Sequence, residues 1–256
     1  VYVEMEKRQV LELEDRMTSM VRGEYPKKTS ESMQIALQMY KRMEELELGP
    51  VEADKMELEI RMGRVESGQQ RFDAGCKETE FGQLLRSMLL KTLVDERGRR
   101  ALLNVRRVKT MDSVYEDGTL EGLRATIDTE KPENGHTFIK KRRQLDINLT
   151  AVKLEEGDRS DYRMSFSMEE PVSTTIESVW TSMKLRSQRY KDRYVFTPNV
   201  SGQYPWFAIH LTTVTMPTHD SLNQTFNTYE VEMEVIDQQM LYKQVTESKV
   251  ILMGQT

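Results

Sequence analysis

The sequence has very few of the side chains that form disulfides or zinc sites. Its 256 residues include one cysteine, Cys76, and three histidines. A single cysteine cannot form an intramolecular disulfide, which fits a reducing compartment. A zinc site of the Cys/His type is not expected either, because too few ligands are available. The fold must therefore be held by packed side chains, and the chain is long enough to bury a core.

Long hydrophobic runs are also missing. No apolar stretch approaches the roughly 18 residues of a membrane-spanning helix, and the first residues are too charged for a signal peptide. We therefore expect no membrane partner. Hydrophobic residues make up 38% of the chain and charged residues 31%, which fits a β-barrel with a charged interior but also solvated helices. Because the net charge is −5, any nucleic acid must bind a local basic cluster.

Helical periodicity is confined to a few segments. Apolar residues recur at helical spacing over residues 4–22, from an N-cap at Ser30 to about Leu48, and from about Glu80 to Glu96. A further helix is predicted near Glu177–Gln188. These segments are helices inserted into a chain that is otherwise extended.

Alternating runs dominate the remainder. The segment Lys55–Met62 alternates strictly and stops at Gly63, which is typical of a strand. From about Arg100 onward, short alternating runs separated by turn sequences predict antiparallel β-structure. The turns are Glu116–Gly118, Pro132–Gly135, Glu155–Asp158 and Ser201–Gly202.

Two predicted strands carry glutamates on one face only. Side chains alternate between the faces of a strand, so Glu57 and Glu59 share a face, as do Glu230, Glu232 and Glu234. If the strands are adjacent, their carboxylates repel and their pKa values rise unless a cation compensates. A divalent cation with hard oxygen ligands would compensate. A solvated glutamate face on a surface strand is the plainer interpretation of either strand alone.

Other strands carry bases or mixed polar residues on one face. Arg189, Lys191 and Arg193 share a face of one run. Further shared faces are Lys141 with Arg143, Arg124 with Thr126 and Asp128, and Arg163 with Ser165, Ser167 and Glu169. If acidic and basic faces point into a closed barrel, the interior suits a polyanion bridged to a metal, such as a nucleoside or RNA triphosphate. A surface patch for a phosphate backbone or an acidic partner is the alternative.

The order of these motifs resembles the metal-dependent RNA triphosphatases of fungal, protozoan and viral mRNA capping, within the triphosphate tunnel metalloenzymes. The similar segments are Met56–Gly63, Ile139–Arg143, Tyr162–Pro171, Arg189–Arg193, Ile209–Val214 and Tyr229–Glu234. The resemblance implies an α+β, mainly β fold: a closed antiparallel eight-stranded β-barrel with N-terminal and inserted helices packed outside. Residues 1–50 would be a helical segment packing on the barrel, and residues 51–256 the catalytic tunnel domain.

The resemblance also implies roles for the polar residues. Mg²⁺ or Mn²⁺ would be held by Glu57, Glu59 and Glu234, with Glu230 bracing its neighbours. Glu169, helped by Glu232, would position or deprotonate the attacking water, and the γ-phosphate would be gripped by Arg143, Lys191 and Arg193. The remaining substrate-binding residues would be Arg124, Lys141, Arg163, Arg189, His210 and Thr212. The sequence departs from the family at His210 and Thr213, where aspartate and lysine are usual.

The implied reaction is hydrolysis of the γ-phosphate of 5′-triphosphate RNA to 5′-diphosphate RNA, the first step of mRNA capping. It would take place in the nucleus, or in a cytoplasmic viral factory. Nucleoside triphosphates would serve as substrates in vitro, and an RNA guanylyltransferase or a second copy of the chain would be the protein partners. Two alternatives stay open: a small-molecule triphosphatase of the same superfamily, acting on thiamine triphosphate, tripolyphosphate or a nucleotide, and a non-catalytic tunnel-like subunit.

Overall fold

A closed ring of eight antiparallel strands forms the centre of the molecule. The computed structural model describes residues 30–65, 71–93, 101–116, 123–149, 161–199, 205–217 and 225–253. The strands are β1 (Met56–Val65), β2 (Phe72–Ala74), β3 (Leu103–Glu116), β4 (Leu123–Asp128), β5 (His136–Leu149), β6 (Asp161–Pro171), β7 (Lys184–Pro198), β8 (Phe207–Pro217) and β9 (Thr225–Val235). Their order is β2-β1-β6-β5-β4-β3-β7-β8-β9, and β1 also pairs with β9. The pairing of β1 with β9 closes the barrel, leaves β2 as an extra strand and confirms the predicted fold class.

Four α-helices lie among the described residues. They are α1 (Ser30–Glu45), α2 (Glu78–Leu90), α3 (Ile176–Ser182) and α4 (Gln238–Met253). None of these helices, as far as the described residues extend, is long and apolar enough to cross a membrane. The C-terminal helix α4 was not expected from the sequence. The division of the chain near residue 50 stays a prediction.

The apolar core lies between the barrel wall and the helices rather than inside the barrel. Met39 and Met43 of α1 pack with Phe166 of β6, together with residues of α4. Phe81, Leu84 and Met88 of α2 pack on Phe207, Ile209 and Leu211 of β8, and Val179 of α3 on Tyr115, Leu123 and Phe138. Because side chains alternate along a strand, the wall segments beneath the helices send apolar residues outward and polar residues inward.

Several predicted boundaries differ from the observed ones for local reasons. Helix α1 ends at Glu45 rather than near Leu48, and Glu47 adopts a left-handed φ of 52°. Helix α2 begins at Glu78, because the Glu80 carboxylate accepts a hydrogen bond from the Lys77 backbone at 3.0 Å.

The strand boundaries differ as well. The helix predicted to Gln188 is wrong beyond Ser182, since the chain is extended from Lys184. Strand β1 continues through Gly63 to Val65, where it pairs with β2. The Pro132–Gly135 turn is confirmed, with Gly135 at a φ of 74°. The predicted helix over residues 4–22 and the turns at 155–158 and 201–202 lie outside the described residues.

The packing of α2 on β8 predicts that Phe207 contributes strongly to the free energy of unfolding. Phe207 is 0% exposed, and replacing it with alanine removes contacts with α2 and leaves a cavity. We expect Phe207→Ala to lower the free energy of unfolding by about 3–5 kcal/mol, measured by urea denaturation. Phe226→Ala is the matched control, because Phe226 is 47% exposed and should lose far less. Equal losses in the two variants would contradict this description of the core.

Candidate active site in the barrel interior

The glutamates of β1 and β9 line one wall of the interior. Glu59 lies directly opposite Glu234, and Arg61 lies opposite Glu232. Glu59 and Glu232 are 4% and 6% exposed, so both carboxylates are almost fully removed from solvent. The structure therefore places the two acidic strands side by side.

Two cations hold this wall together. Arg61 donates from Nη2 to Glu59 Oε2 and lies with Nε near Glu232 Oε1, both at 2.9 Å. Burial disfavours its charge, but attraction to Glu232 and Glu59 outweighs burial and raises the pKa of Arg61. Lys141 forms an ion pair with Glu57, and its Nζ lies 3.5 Å from Glu59 Oε1. Each buried carboxylate of β1 therefore shares a cation with a neighbour.

The bases of β7 line a second, basic wall, which only β8 separates from β9, and Arg193 Nη2 lies 3.6 Å from Glu232 Oε2. Lys191 Nζ lies 2.7 Å from Asp112 Oδ2, and Thr126 donates to the other oxygen of Asp112 at 2.9 Å. Arg193 donates to Thr212 Oγ1 at 3.1 Å. Burial lowers the pKa of Lys191, and the charges of the neighbouring arginines lower it further, so Asp112 offsets only part of the effect. The pKa of Asp112 falls nonetheless, because Lys191 outweighs its burial.

Asp112 belongs to this site and was not identified from the sequence. It is the counter-ion of Lys191, the central base of β7, and it is 3% exposed. Its neighbours on the same face of β3, Thr110 and Val114, carry no charge. An isolated aspartate in an alternating run gives no signal that it faces a buried lysine.

Glu169 of β6 lies near bases of β4 and β5. It lies opposite Lys141 in the β5–β6 register. Its Oε1 accepts a hydrogen bond from Arg124 at 2.9 Å and lies 3.8 Å from Lys141 Nζ. Two cations thus orient this carboxylate toward the middle of the interior.

His210 lies between the acidic and basic walls. Its Nδ1 is 3.4 Å from Glu234 Oε2, and the side chain is 6% exposed. Burial, and then the charge of Arg193, lower the pKa of His210 to about 4, so the imidazole is neutral at pH 7. Burial and the charge of Glu57 raise the pKa of Glu234 to about 7. The pair is therefore a neutral donor beside a carboxyl that titrates near neutrality.

The donor set of Glu57, Glu59 and Glu234 fits a divalent cation. Glu57 Oε2 and Glu59 Oε1 are buried and face the Lys141 ammonium, and carboxylate oxygens are the ligands that Mg²⁺ and Mn²⁺ prefer. In the described part of the chain, no three acidic, histidine or cysteine side chains are spaced to hold a metal ion. The Lys141 ammonium pairs with Glu57 and lies 3.5 Å from Glu59 Oε1.

The other predicted site residues are not all equally close to this centre. Arg143 lies at a bulge of β5, has a half-exposed side chain and bonds Asp146 at 3.3 Å, so Lys141 is the base of β5 that reaches the glutamates. Arg163 lies opposite Arg61, and Arg189 opposite Asp112. Glu230 of β9 lies opposite Thr212 of β8, and Thr212 is fully buried. The catalytic and binding roles of these residues stay predictions.

A family model described as "mRNA capping enzyme, beta chain", an mRNA triphosphatase family, matches residues 41–250. The chain belongs to this family. Among solved structures, S. pombe Pct1 RNA triphosphatase in complex with the Spt5 CTD is similar, with 19% identity, a TM-score of 0.66, and coverage of 88% of this chain and 87% of that chain. The Mimivirus capping enzyme triphosphatase is also similar, with 12% identity, a TM-score of 0.50, and coverage of 85% of this chain and 97% of that chain. No curated protein matches the sequence.

Family membership confirms the resemblance predicted from the sequence motifs. The chain is an RNA 5′-triphosphatase of mRNA capping, and the small-molecule and scaffold alternatives are not favoured. At 19% identity or less, the solved structures support the fold alone.

The pairing of Lys191 with Asp112 makes a prediction for the RNA triphosphatase. Asp112→Asn leaves a buried ammonium without its counter-charge, so we expect a loss of about 3 kcal/mol in unfolding free energy. Thermal and urea unfolding measure it. The control is Asp192→Asn, whose carboxylate pairs with Arg107 on the outer face and should change stability by about 0.5 kcal/mol. A silent Asp112→Asn would exclude the buried ion pair.

Proposed function

We propose that the barrel interior is the site at which this chain hydrolyses the γ-phosphate of 5′-triphosphate RNA, with a divalent cation held by Glu57, Glu59 and Glu234. The observation that carries the proposal is the convergence of the glutamates of β1 and β9 with the lysine and arginine side chains of β7 inside one closed barrel, where Arg193 Nη2 lies 3.6 Å from Glu232 Oε2. Mg²⁺ and Mn²⁺ are the cations that fit these oxygens. Such a cation would polarise the phosphoryl group and neutralise its charge.

The bases of the interior would bind the phosphates. Arg193 and Lys191 lie on the same face of β7, and Arg124 approaches from β4 beside Glu169. Fixed cations stabilise the charge that develops on the phosphoryl oxygens in the transition state. Lys141 pairs with Glu57 and Glu59. If those carboxylates held a cation, the Lys141 ammonium would be available to contact a phosphate oxygen.

The two remaining glutamates would act on the attacking water. Burial alone would raise the pKa of Glu232, but Arg61 and then Arg193 lower it to about 2, so Glu232 remains a carboxylate and suits an orienting role. Glu169 is held by Arg124 and can accept a hydrogen bond from water. The water oxygen bonds to the γ-phosphorus as the bridging P–O bond breaks, and the proton passes to Glu169. The β-phosphate leaves on the RNA.

His210 stands where the resemblance leads one to expect aspartate. As a neutral imidazole it can donate from Nδ1 to Glu234 Oε2, which fixes the orientation of that carboxylate. The unprotonated Nε2 can accept a hydrogen bond from water. His210 would thereby supply the acceptor that an aspartate would supply, without adding a negative charge.

The cellular setting follows from the reaction and is also a proposal. Capping of new transcripts would place the enzyme in the nucleus, or in a cytoplasmic viral factory. The S. pombe Pct1 structure is a complex with the Spt5 CTD. By extension, this chain would work beside protein partners, with a guanylyltransferase consuming its 5′-diphosphate product.

The metal assignment is tested by removing single carboxylates. We expect Glu59→Gln and Glu234→Gln each to abolish Mn²⁺-dependent phosphate release, because each removes a charged ligand. Calorimetric titration with Mn²⁺ should show at least tenfold weaker binding. Glu170→Gln is the matched control and should keep both properties, because Glu170 follows Glu169 on β6 and its side chain points to the outer face of the barrel. If both variants kept the Mn²⁺ affinity and turnover of the wild type, Glu59 and Glu234 would not be metal ligands.

The phosphate contact is tested at Arg193. We expect Arg193→Ala to lower kcat on triphosphate RNA about 100-fold, because a cation aimed at the transferring phosphoryl group is lost. The fold should survive, since Arg61 still neutralises Glu232. The outer Arg107→Ala variant is the control and should retain wild-type kcat. A normal kcat in Arg193→Ala would assign phosphate binding to other residues.

A further inference from the structure

Strand β2 completes the barrel wall at one end. β1 pairs with β9 from Glu59 to Arg61, and beyond that point its next residues, Gly63 to Val65, pair with β2 instead. Just after β2, Cys76 bridges to Tyr229 of β9. The short strand therefore fills the gap where β1 and β9 diverge. We call this opening the Gly63 end of the barrel.

The register places Phe72 on the inner face of the wall. The β1–β6 pairing runs without a shift from Met56 to Gly63, so Gly63 shares the inward face of Glu59. Phe72 lies opposite Val65, two residues further along the same face. A Cβ at Gly63 would lie 2.6 Å and 2.9 Å from two ring atoms of Phe72. The ring thus lies across a position that only glycine leaves open.

An arginine holds the ring in this position. The guanidinium carbon of Arg163 lies 4.8 Å from the centroid of the Phe72 ring, in cation–π geometry. Arg163 is itself fixed, because its Nε donates to Asn148 Oδ1 at 2.9 Å and Nη1 lies 3.5 Å from Asp146 Oδ2. Phe72 remains partly exposed. The Gly63 end therefore carries a positioned aromatic side chain at its rim.

Arginines from three strands lie toward the Gly63 end and can donate hydrogen bonds to an anionic chain. Arg61 and Arg163 face each other in register there. β7 runs parallel to β9, because both pair antiparallel with β8, so Arg189 extends toward the same end. Each of these arginines lies near a carboxylate: Arg61 is 2.9 Å from Glu59 and from Glu232, Arg163 Nη1 is 3.5 Å from Asp146 Oδ2, and Arg189 lies opposite Asp112. Glu230 and the buried Asp161, which is opposite Gly63, lie at the same end. The Gly63 end therefore offers arginine N–H donors beside carboxylates rather than a net positive charge.

The distance from the metal ligands suits a nucleoside 5′-triphosphate. Gly63 lies four residues beyond Glu59 on β1, which at roughly 3.3 Å per residue is about 13 Å. That separation is of the order spanned by three phosphates and a ribose. A γ-phosphate at the glutamates would bring the first base to Phe72.

We propose that Phe72, held by Arg163 over Gly63, is a stacking platform for the first nucleobase of the 5′-triphosphate RNA. Bases stack on aromatic faces without regard to sequence, as in single-strand binding proteins. The platform rests on the proposed function and gives it a substrate preference. A triphosphate that carries a nucleoside is bound better than an inorganic one.

Steady-state kinetics on two substrates test the platform. Wild type, Phe72→Ala and Phe72→Trp are compared on a 5′-triphosphate RNA oligonucleotide and on inorganic tripolyphosphate, with Mn²⁺. Phe72→Ala should raise KM for the RNA about tenfold and leave KM for tripolyphosphate unchanged, and Phe72→Trp should restore the RNA value. An unchanged KM for RNA, or an equal rise for tripolyphosphate, would overturn the platform.

A fluorescence measurement separates this inference from the proposed reaction. An RNA whose 5′-triphosphate nucleotide carries 2-aminopurine is bound in EDTA, where no hydrolysis occurs. Stacking should quench its fluorescence with wild type and with Phe72→Trp, but not with Phe72→Leu, which keeps apolar bulk without a ring. Tyr190→Ala should behave as wild type, because Tyr190 is 46% exposed and alternates with the inward Arg189 and Lys191, which places it on the outer face of β7. Equal quenching in wild type and Phe72→Leu overturns the platform, whereas a wild type that does not hydrolyse RNA overturns the reaction.

Discussion

The pairing of Arg61 with Glu59 and Glu232 is the interaction on which the barrel interior depends. β1 and β9 close the ring, and both bring glutamates to the seam. Two rows of buried carboxylates would repel each other and weaken the pairing that closes the barrel. Arg61 comes from the same strand as Glu59 and reaches across the seam to Glu232, at 2.9 Å from each. The cation that permits closure is therefore built into the strand that needs it.

This charge pairing also explains why the apolar core lies outside the barrel. A barrel filled with ion pairs gains little from burial of apolar surface inside, so the wall must be stabilised from the other side. Each strand that faces a helix supplies large apolar residues outward, as Phe207, Ile209 and Leu211 do beneath α2. The interior can then keep groups that would be costly in a packed core, among them Lys191, which is 9% exposed.

The features of this fold that could be predicted from the sequence are those that follow from the alternation of side chains along a strand. Glu57, Glu59, Glu232 and Glu234 could be assigned to one face of their strands because side chains alternate, and the barrel brings those faces together. Asp112 could not be found, since its importance comes from the distant Lys191. The ion pairs of Lys141 could not be found either, because they join β5 to β1, which is distant in the sequence. The bulge that turns Arg143 toward Asp146 depends on β5–β6 register, which no local pattern contains.

The substitution of histidine at position 210 is consistent with the same electrostatic constraint. His210 Nδ1 lies 3.4 Å from Glu234 Oε2, and burial with the charge of Glu57 already raises the pKa of Glu234 to about 7. An aspartate here would bring another carboxylate to Glu234 and raise that pKa further, which would favour the protonated form of a proposed metal ligand. A neutral imidazole keeps a polar partner at this position and leaves the charge of the site unchanged. Histidine therefore relieves the repulsion on the side of Glu234 that Arg61 does not reach.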